Sequence, residues 1–149
     1  MGVTMGRIKK FCGERGTALL EAAMTMPLLL LVSAGIFEFG RAYQTWQILT
    51  NAAREGARVA VLPYAQPGGP TARARAYMQS GQLPNYATAS ISVTATSVTV
   101  NGVAAPASQV TINYPFQFIM LRPVARLIQP GATLGAPLTM TASAVMRNE

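Results

Sequence analysis

Apolar and polar positions change their period several times along this chain, and the changes mark its elements. From Ala22 to Phe37 no charged residue occurs, and Glu21 and Glu38 stand at the two ends of that run. A helix rising about 1.5 Å per residue needs roughly 20 residues to cross a hydrocarbon core about 30 Å thick. Leu19, Leu20, Phe39 and Gly40 supply the missing length if the two glutamates are neutralised, paired or interfacial. From Arg41 to Val61 the pattern becomes amphipathic: Tyr43, Trp46, Leu49, Ala53, Gly56 and Ala60 recur at intervals of three and four, with Arg54, Glu55 and Arg58 off that stripe. Ala52, Gly56 and Ala60 form a small-xxx-small ridge that admits close approach by another helix or a sheet. One helix from Arg15 to Leu62 is therefore expected, and Pro63 ends it. Within it Pro27 removes a backbone donor and crowds the Ala23 carbonyl, so a kink or local opening is expected there.

Beyond Pro63 the run Gln66-Pro67-Gly68-Gly69-Pro70 reads as a turn, and Thr71 as the N-cap of a helix over Ala72 to Ser80 closed by Gly81. From Ser90 the period is two. Ile91, Val93 and Ala95 alternate with polar residues, then Val98 and Val100 resume out of phase, which predicts a bulge near Thr96-Ser97. Asn101-Gly102 predicts a hairpin. Val110, Ile112, Tyr114 and Phe116 predict a second strand, Ala125 to Ile128 a helical turn in a loop-rich stretch, and Leu138 to Met146 a last strand. A three- or four-stranded antiparallel sheet with one apolar face follows, and the Trp46 to Ala60 stripe is its expected cover. The fold class is α+β: a long N-terminal membrane-spanning helix, its outer half amphipathic and packed on a small antiparallel β-sheet.

Composition narrows the chemistry. Half of the 149 residues are apolar and 11% are charged, well under the roughly 25% usual for soluble domains. The net charge is +7, but Arg7, Lys9, Lys10 and Arg15 precede the apolar run, a pattern that holds this end in the cytoplasm and sends the C-terminal part across. The other arginines are scattered without a stacking stripe, so no nucleic-acid partner is expected. There is no histidine, one cysteine (Cys12), and beyond the helix one carboxylate, Glu149. These counts exclude Ser-His triads, ordinary Cys/His zinc sites and paired-carboxylate catalysis. Neither an enzyme, a metal nor a cofactor is expected. Cys12 follows Ile8-Lys9-Lys10-Phe11 rather than an apolar run, so it reads as an unmodified leader cysteine rather than a lipidation site. Glu38 and Arg41, three apart, are placed to pair, and with Tyr43 and Trp46 as an aromatic belt they are read as the outer membrane-interface marker.

Residues 1–16 read as a basic leader, and two cuts compete: one after Val32-Ser33-Ala34, leaving Gly35, and one after Gly16, leaving Thr17. Arg15-Gly16, Glu21, Pro27 followed by Leu28 to Leu31, Gly35, Glu38, Gly40-Arg41 and the run Asn51-Ala52-Ala53-Arg54-Glu55-Gly56-Ala57-Arg58 together resemble the TadE-like pseudopilins of the tight-adherence (Flp) pilus system. Val110 to Phe116 and Ser143 to Arg147 are similar to the tails found there, and Ala22, where the major pilins carry Tyr after the Glu, fits a minor subunit.

The resemblance implies prepilin-type cleavage between Gly16 and Thr17, where a residue without a side chain lets a peptidase reach its carbonyl. It also implies that Glu21 pairs with the new N-terminal amine of a neighbouring subunit and sets axial register. The implied partners are other pilins or pseudopilins, the prepilin peptidase and an inner-membrane assembly platform. The implied place is the bacterial inner membrane, single-pass, with residues 17–40 in the bilayer, 41–62 as the amphipathic half and 63–149 as an extracytoplasmic domain. The alternative is an uncleaved bitopic anchor carrying a binding module.

Overall fold

In the computed structural model, which describes residues 11–64, 66–129, 131 and 133–148, and side chains from residue 16 on, one helix dominates. This helix, α1, runs from Phe11 to Ala60 without interruption at Pro27. Within the described residues it covers the expected stretch from Arg15, Gly16 included, and the four residues before it. The basic leader residues 1–10, the Cys12 side chain and Glu149 lie outside what is described. The chain divides into two units: α1 up to Glu38 together with Ile119–Gly135, and Phe39–Phe118 together with Ala136–Glu149.

The second unit is built on an antiparallel meander of three strands, β1 (Ser90–Val100), β2 (Val103–Phe116) and β3 (Leu138–Arg147), in the order β1-β2-β3. The expected hairpin closes β1 onto β2, with Asn101 at φ 51° and Gly102 at φ 80° as its type I′ geometry demands. The expected bulge is absent. Pairing runs unbroken from Ser90 opposite Asn113 to Val100 opposite Val103. Apart from half-buried Ile91, β1 is exposed on both faces, so no core fixes the phase of its side chains and the shift at Thr96-Ser97 carries no register meaning. In β2 the alternation is real: Val110, Ile112, Tyr114 and Phe116 are all buried. β2 also holds Pro106 and Pro115, residues that a central strand rarely accepts. Pro106 pairs with β1 just beyond the end of the β3 ladder, and Pro115 pairs with β3 just beyond the β1 ladder. Each lies where β2 has one strand neighbour and needs no donor on the other side.

The sheet's apolar face meets Leu49, Ala52, Ala53 and Ala57 of α1, with Ala74 and Met78 of α2 (Gly69–Ser80) completing the core. The covering stripe keeps Leu49, Ala53 and Gly56 of the expected one, with Ala60 at its edge, but leaves out Tyr43 and Trp46. Tyr43 is 62% and Trp46 48% exposed, whereas Thr45, Leu49, Ala52, Ala53 and Ala57 are buried. Six residues, or about 240° of helix, separate Tyr43 from Leu49, and the face that reaches the sheet is the one whose small side chains allow close approach. α2 also starts earlier than expected, with Gly68 at φ 76° as its N-cap, so Thr71 is inside the helix. Pro70 explains the shift, since its fixed φ and missing N–H suit the first turn.

In the first unit the loop-rich stretch contains α3, a full two turns from Leu121 to Ile128. Among its described residues Ala34, Glu38, Leu121, Ala125 and Gly135 are buried. Gly135 returns against the first turn of α3: at φ 80°, a Cβ there would meet the Arg122 backbone nitrogen at 2.7 Å.

Candidate membrane and assembly site

Every residue from Gly16 to Leu30 is exposed, including Leu19, Leu20, Met24, Leu28 and Leu29. This is the one described helix long and apolar enough to cross a membrane; the apolar window within it has a mean hydropathy of 1.9 and is 6% buried. A soluble helix hides such a stripe, whereas this one is bare all round. Gly16 and Thr17 lie in α1, and a Cβ on Gly16 would meet nothing within 4 Å. Glu21 is exposed one turn beyond Thr17, and its backbone carbonyl accepts a hydrogen bond from Thr25 Oγ1 at 3.0 Å. Thr25 also donates to the Ala22 carbonyl at 3.3 Å, two residues before Pro27.

Glu38 departs from the expected exposed marker. It is fully buried, and one of its oxygens, Oε1, accepts the backbone N–H groups of both Ile119 and Met120 at 2.5 Å. Those residues immediately precede α3, whose N-cap, Met120, makes no side-chain cap of its own. The carboxylate therefore takes the N–H of the cap residue, as a glutamate at the third helical position does in a capping box, from 82 residues away in sequence. Sequence reasoning missed this partnership. The readable signal was a carboxylate at the end of an apolar run together with a helix lacking a cap residue of its own.

Arg41 donates to the Gln117 carbonyl and lies 4.4 Å from the Phe116 ring centroid, a cation–π contact on a buried aromatic. Tyr43 and Trp46, with ring centroids 6.4 Å apart, form an exposed aromatic pair. The ridge faces the chain's own elements. Ala52 is fully buried and Ala60 packs at the core's edge. A Cβ on Gly56 would meet Ala74 Cβ and the Pro70 carbonyl at 3.2 Å and Val110 at 3.3 Å.

Two groups titrate away from their ordinary values. Partial burial raises the Glu55 carboxyl, but hydrogen bonds and charge from Arg73 and Arg58, both at 3.2 Å, outweigh it and hold the carboxyl below the usual range. Burial pushes the Tyr114 hydroxyl up against the opposing charge of Arg41, and that hydroxyl donates to the Pro84 carbonyl. Neither belongs to a reactive cluster. Among the described residues no group of His, Cys, Asp or Glu could hold a metal. The open hollow of about 490 Å³ beside α1 is lined by Tyr43, Gln44, Gln47, Ile48, Asn51 and Gly81.

The geometry defines a class: an α+β chain with, among the described residues, one candidate membrane helix whose first half is uncovered and whose second half packs under a small antiparallel sheet. A family model described as TadE-like protein matches residues 16–58. That match lies wholly within α1, and it shows the TadE-like resemblance over both halves of the helix while leaving the sheet outside it. The segment therefore carries the mark of a family associated with the Tad pilus, a structural kind of protein. No curated protein and no solved structure matches the chain significantly.

Proposed function

We propose that the chain is a minor pseudopilin of a tight-adherence type IV pilus system, which assists assembly of an adhesion or secretion filament after its leader is removed between Gly16 and Thr17. It does no chemistry itself; a prepilin peptidase and an inner-membrane platform act on it, and other pilins or pseudopilins are its partners. In this reading α1 sits in the bacterial inner membrane with its N-terminus cytoplasmic and the sheet extracytoplasmic, and Glu21 sets register against a neighbouring subunit's amine. The observation that supports the reading is an overlap: the TadE-like match over residues 16–58 takes in the uncovered apolar surface of α1 described up to Leu30 and continues into the half that packs on the sheet.

The competing reading, an uncut membrane anchor with a binding module, draws on the position of the Gly16–Thr17 bond inside a helix, where a peptidase must first unwind its substrate. Gly13 and Gly16 ease that, since glycine weakens a helix by about 1 kcal/mol relative to alanine. Intact mass and N-terminal sequencing of protein from its native host's membranes separate the two readings. Processing predicts a start at Thr17 that is lost in Gly16→Ala, a variant the fold accommodates because nothing adjoins that position. A start at Met1 overturns processing.

A further inference from the structure

The segment Ile119–Gly135 combines three features that cleavage and assembly leave unexplained. First, it is tied to α1 at one level: Glu38, at the end of the uncharged run from Ala22 to Phe37, holds the backbone of Ile119 and Met120. The stretch from Leu19 to Glu38 rises about 28 Å, close to the thickness of the hydrocarbon core. Second, several of its apolar side chains point outward although Leu121 and Ala125 are buried: Leu127 is 81% exposed, Ile119 62% and Ile128 48%. Third, its only charges are Arg122 and Arg126, and no acidic residue occurs between Glu55 and Glu149. At about 100° per residue the two arginines share one flank of α3, and Pro123 and Leu127 share the next.

We propose that α3 and its flanks lie on the extracytoplasmic surface of the bilayer as a second membrane contact, with Leu127 among the acyl chain ends and Arg122 and Arg126 on the phosphates of anionic phospholipids. This rests on the membrane-anchor reading of α1. An apolar patch edged by guanidinium groups suits a lipid interface. Continuity with the bare surface of α1 in the same unit favours lipid over a second protein. The carboxylate that would repel anionic headgroups is the one already buried on backbone N–H groups. The contact would fix the rotation of α1 about its axis, which a lone spanning helix leaves free.

The test uses the full chain with Cys12→Ser in unilamellar vesicles of one part phosphatidylglycerol to three parts phosphatidylcholine. An environment-sensitive fluorophore is placed on Leu127→Cys or, separately, on Leu29→Cys, and nitroxides on lipids report depth. The expected result is strong quenching of the Leu29 probe by deep nitroxides and of the Leu127 probe by shallow ones. The Leu127 quenching should fall roughly twofold or more in Arg122→Gln/Arg126→Gln or in pure phosphatidylcholine. A Leu127 probe open to aqueous iodide, with Leu29 still quenched, overturns this inference and spares the anchor. Shielding from both iodide and lipid means a protein covers α3 and also overturns it, as does quenching indifferent to lipid charge. An unquenched Leu29 probe removes the anchor reading and this one with it.

Discussion

The two halves of α1 reverse the usual relation between side-chain size and burial. From Gly16 to Leu30 the helix carries leucines and methionines and is bare, while from Thr45 to Ala57 the buried face is mostly alanine and glycine. Hydrophobicity alone would bury the first half. The difference lies in what each half meets. A helix against lipid gains from bulk on every side and needs no complementary shape. A helix against a sheet and a second helix gains from approach, and Gly56, 3.2 to 3.3 Å from neighbours on three sides after adding a Cβ, marks how close that approach is.

Matched truncations break or sharpen this contrast most strongly. Phe116→Ala, at a side chain 1% exposed, should cost about 3–5 kcal/mol in the thermal or denaturant unfolding of the sheet unit. Leu29→Ala, at 61% exposure, should leave that transition unmoved. Next comes Glu38→Ala, which takes the carboxylate from two part-buried N–H groups and should cost about 2–4 kcal/mol, read as new protease cleavage within Ile119–Gly135. Gly56→Val should follow at about 2–3 kcal/mol from overpacking. Gly56→Ala should fall within about 1 kcal/mol of wild type, because its gain in helix propensity offsets the crowding. The same change at Gly16 should not affect folding.

Tyr114→Phe removes one hydrogen bond to Pro84 and should cost about 1 kcal/mol. Because the folded hydroxyl has a raised pKa, its contribution should persist below the ordinary tyrosine value and fade as pH rises through the folded one. Glu55→Gln should be smallest, at most about 1 kcal/mol, since both arginine partners are more than half exposed. Its carboxyl has a lowered pKa, so the stabilisation is present above the unfolded carboxylate value and is lost as pH falls through the folded one. A pH titration of stability in wild type and Glu55→Gln, converging at the acid end, checks the sign.

What the sequence disclosed follows from which positions face a constraint. The period-two run from Val110 to Phe116 was legible because one face of β2 is fully buried, and Asn101-Gly102 was legible because only such residues take two positive φ values. The phase shift in β1 misled because neither face of that strand is enclosed. The α1 stripe was misassigned at Tyr43 and Trp46 because large rings outweigh alanines in a periodicity, although alanines are what a close-packed face uses. Glu38 was placed among exposed interface groups because its partners are backbone N–H groups in a distant loop, and backbone donors leave no trace in side-chain patterns. The bare surface from Gly16 to Leu30 was readable as an uncharged run, and the family match over residues 16–58 falls on the helix that contains it.

The most direct test of the division between the two halves is a chain shortened to begin at Phe37, which keeps Glu38 and every described core residue of the sheet unit but removes the bare half of α1. The measurement is its amide NMR spectrum in aqueous buffer. A dispersed spectrum with strand-like shifts over β1, β2 and β3 is the predicted result. A collapsed or aggregated spectrum would contradict the account, because the apolar half would then be part of the fold it is held to stand apart from.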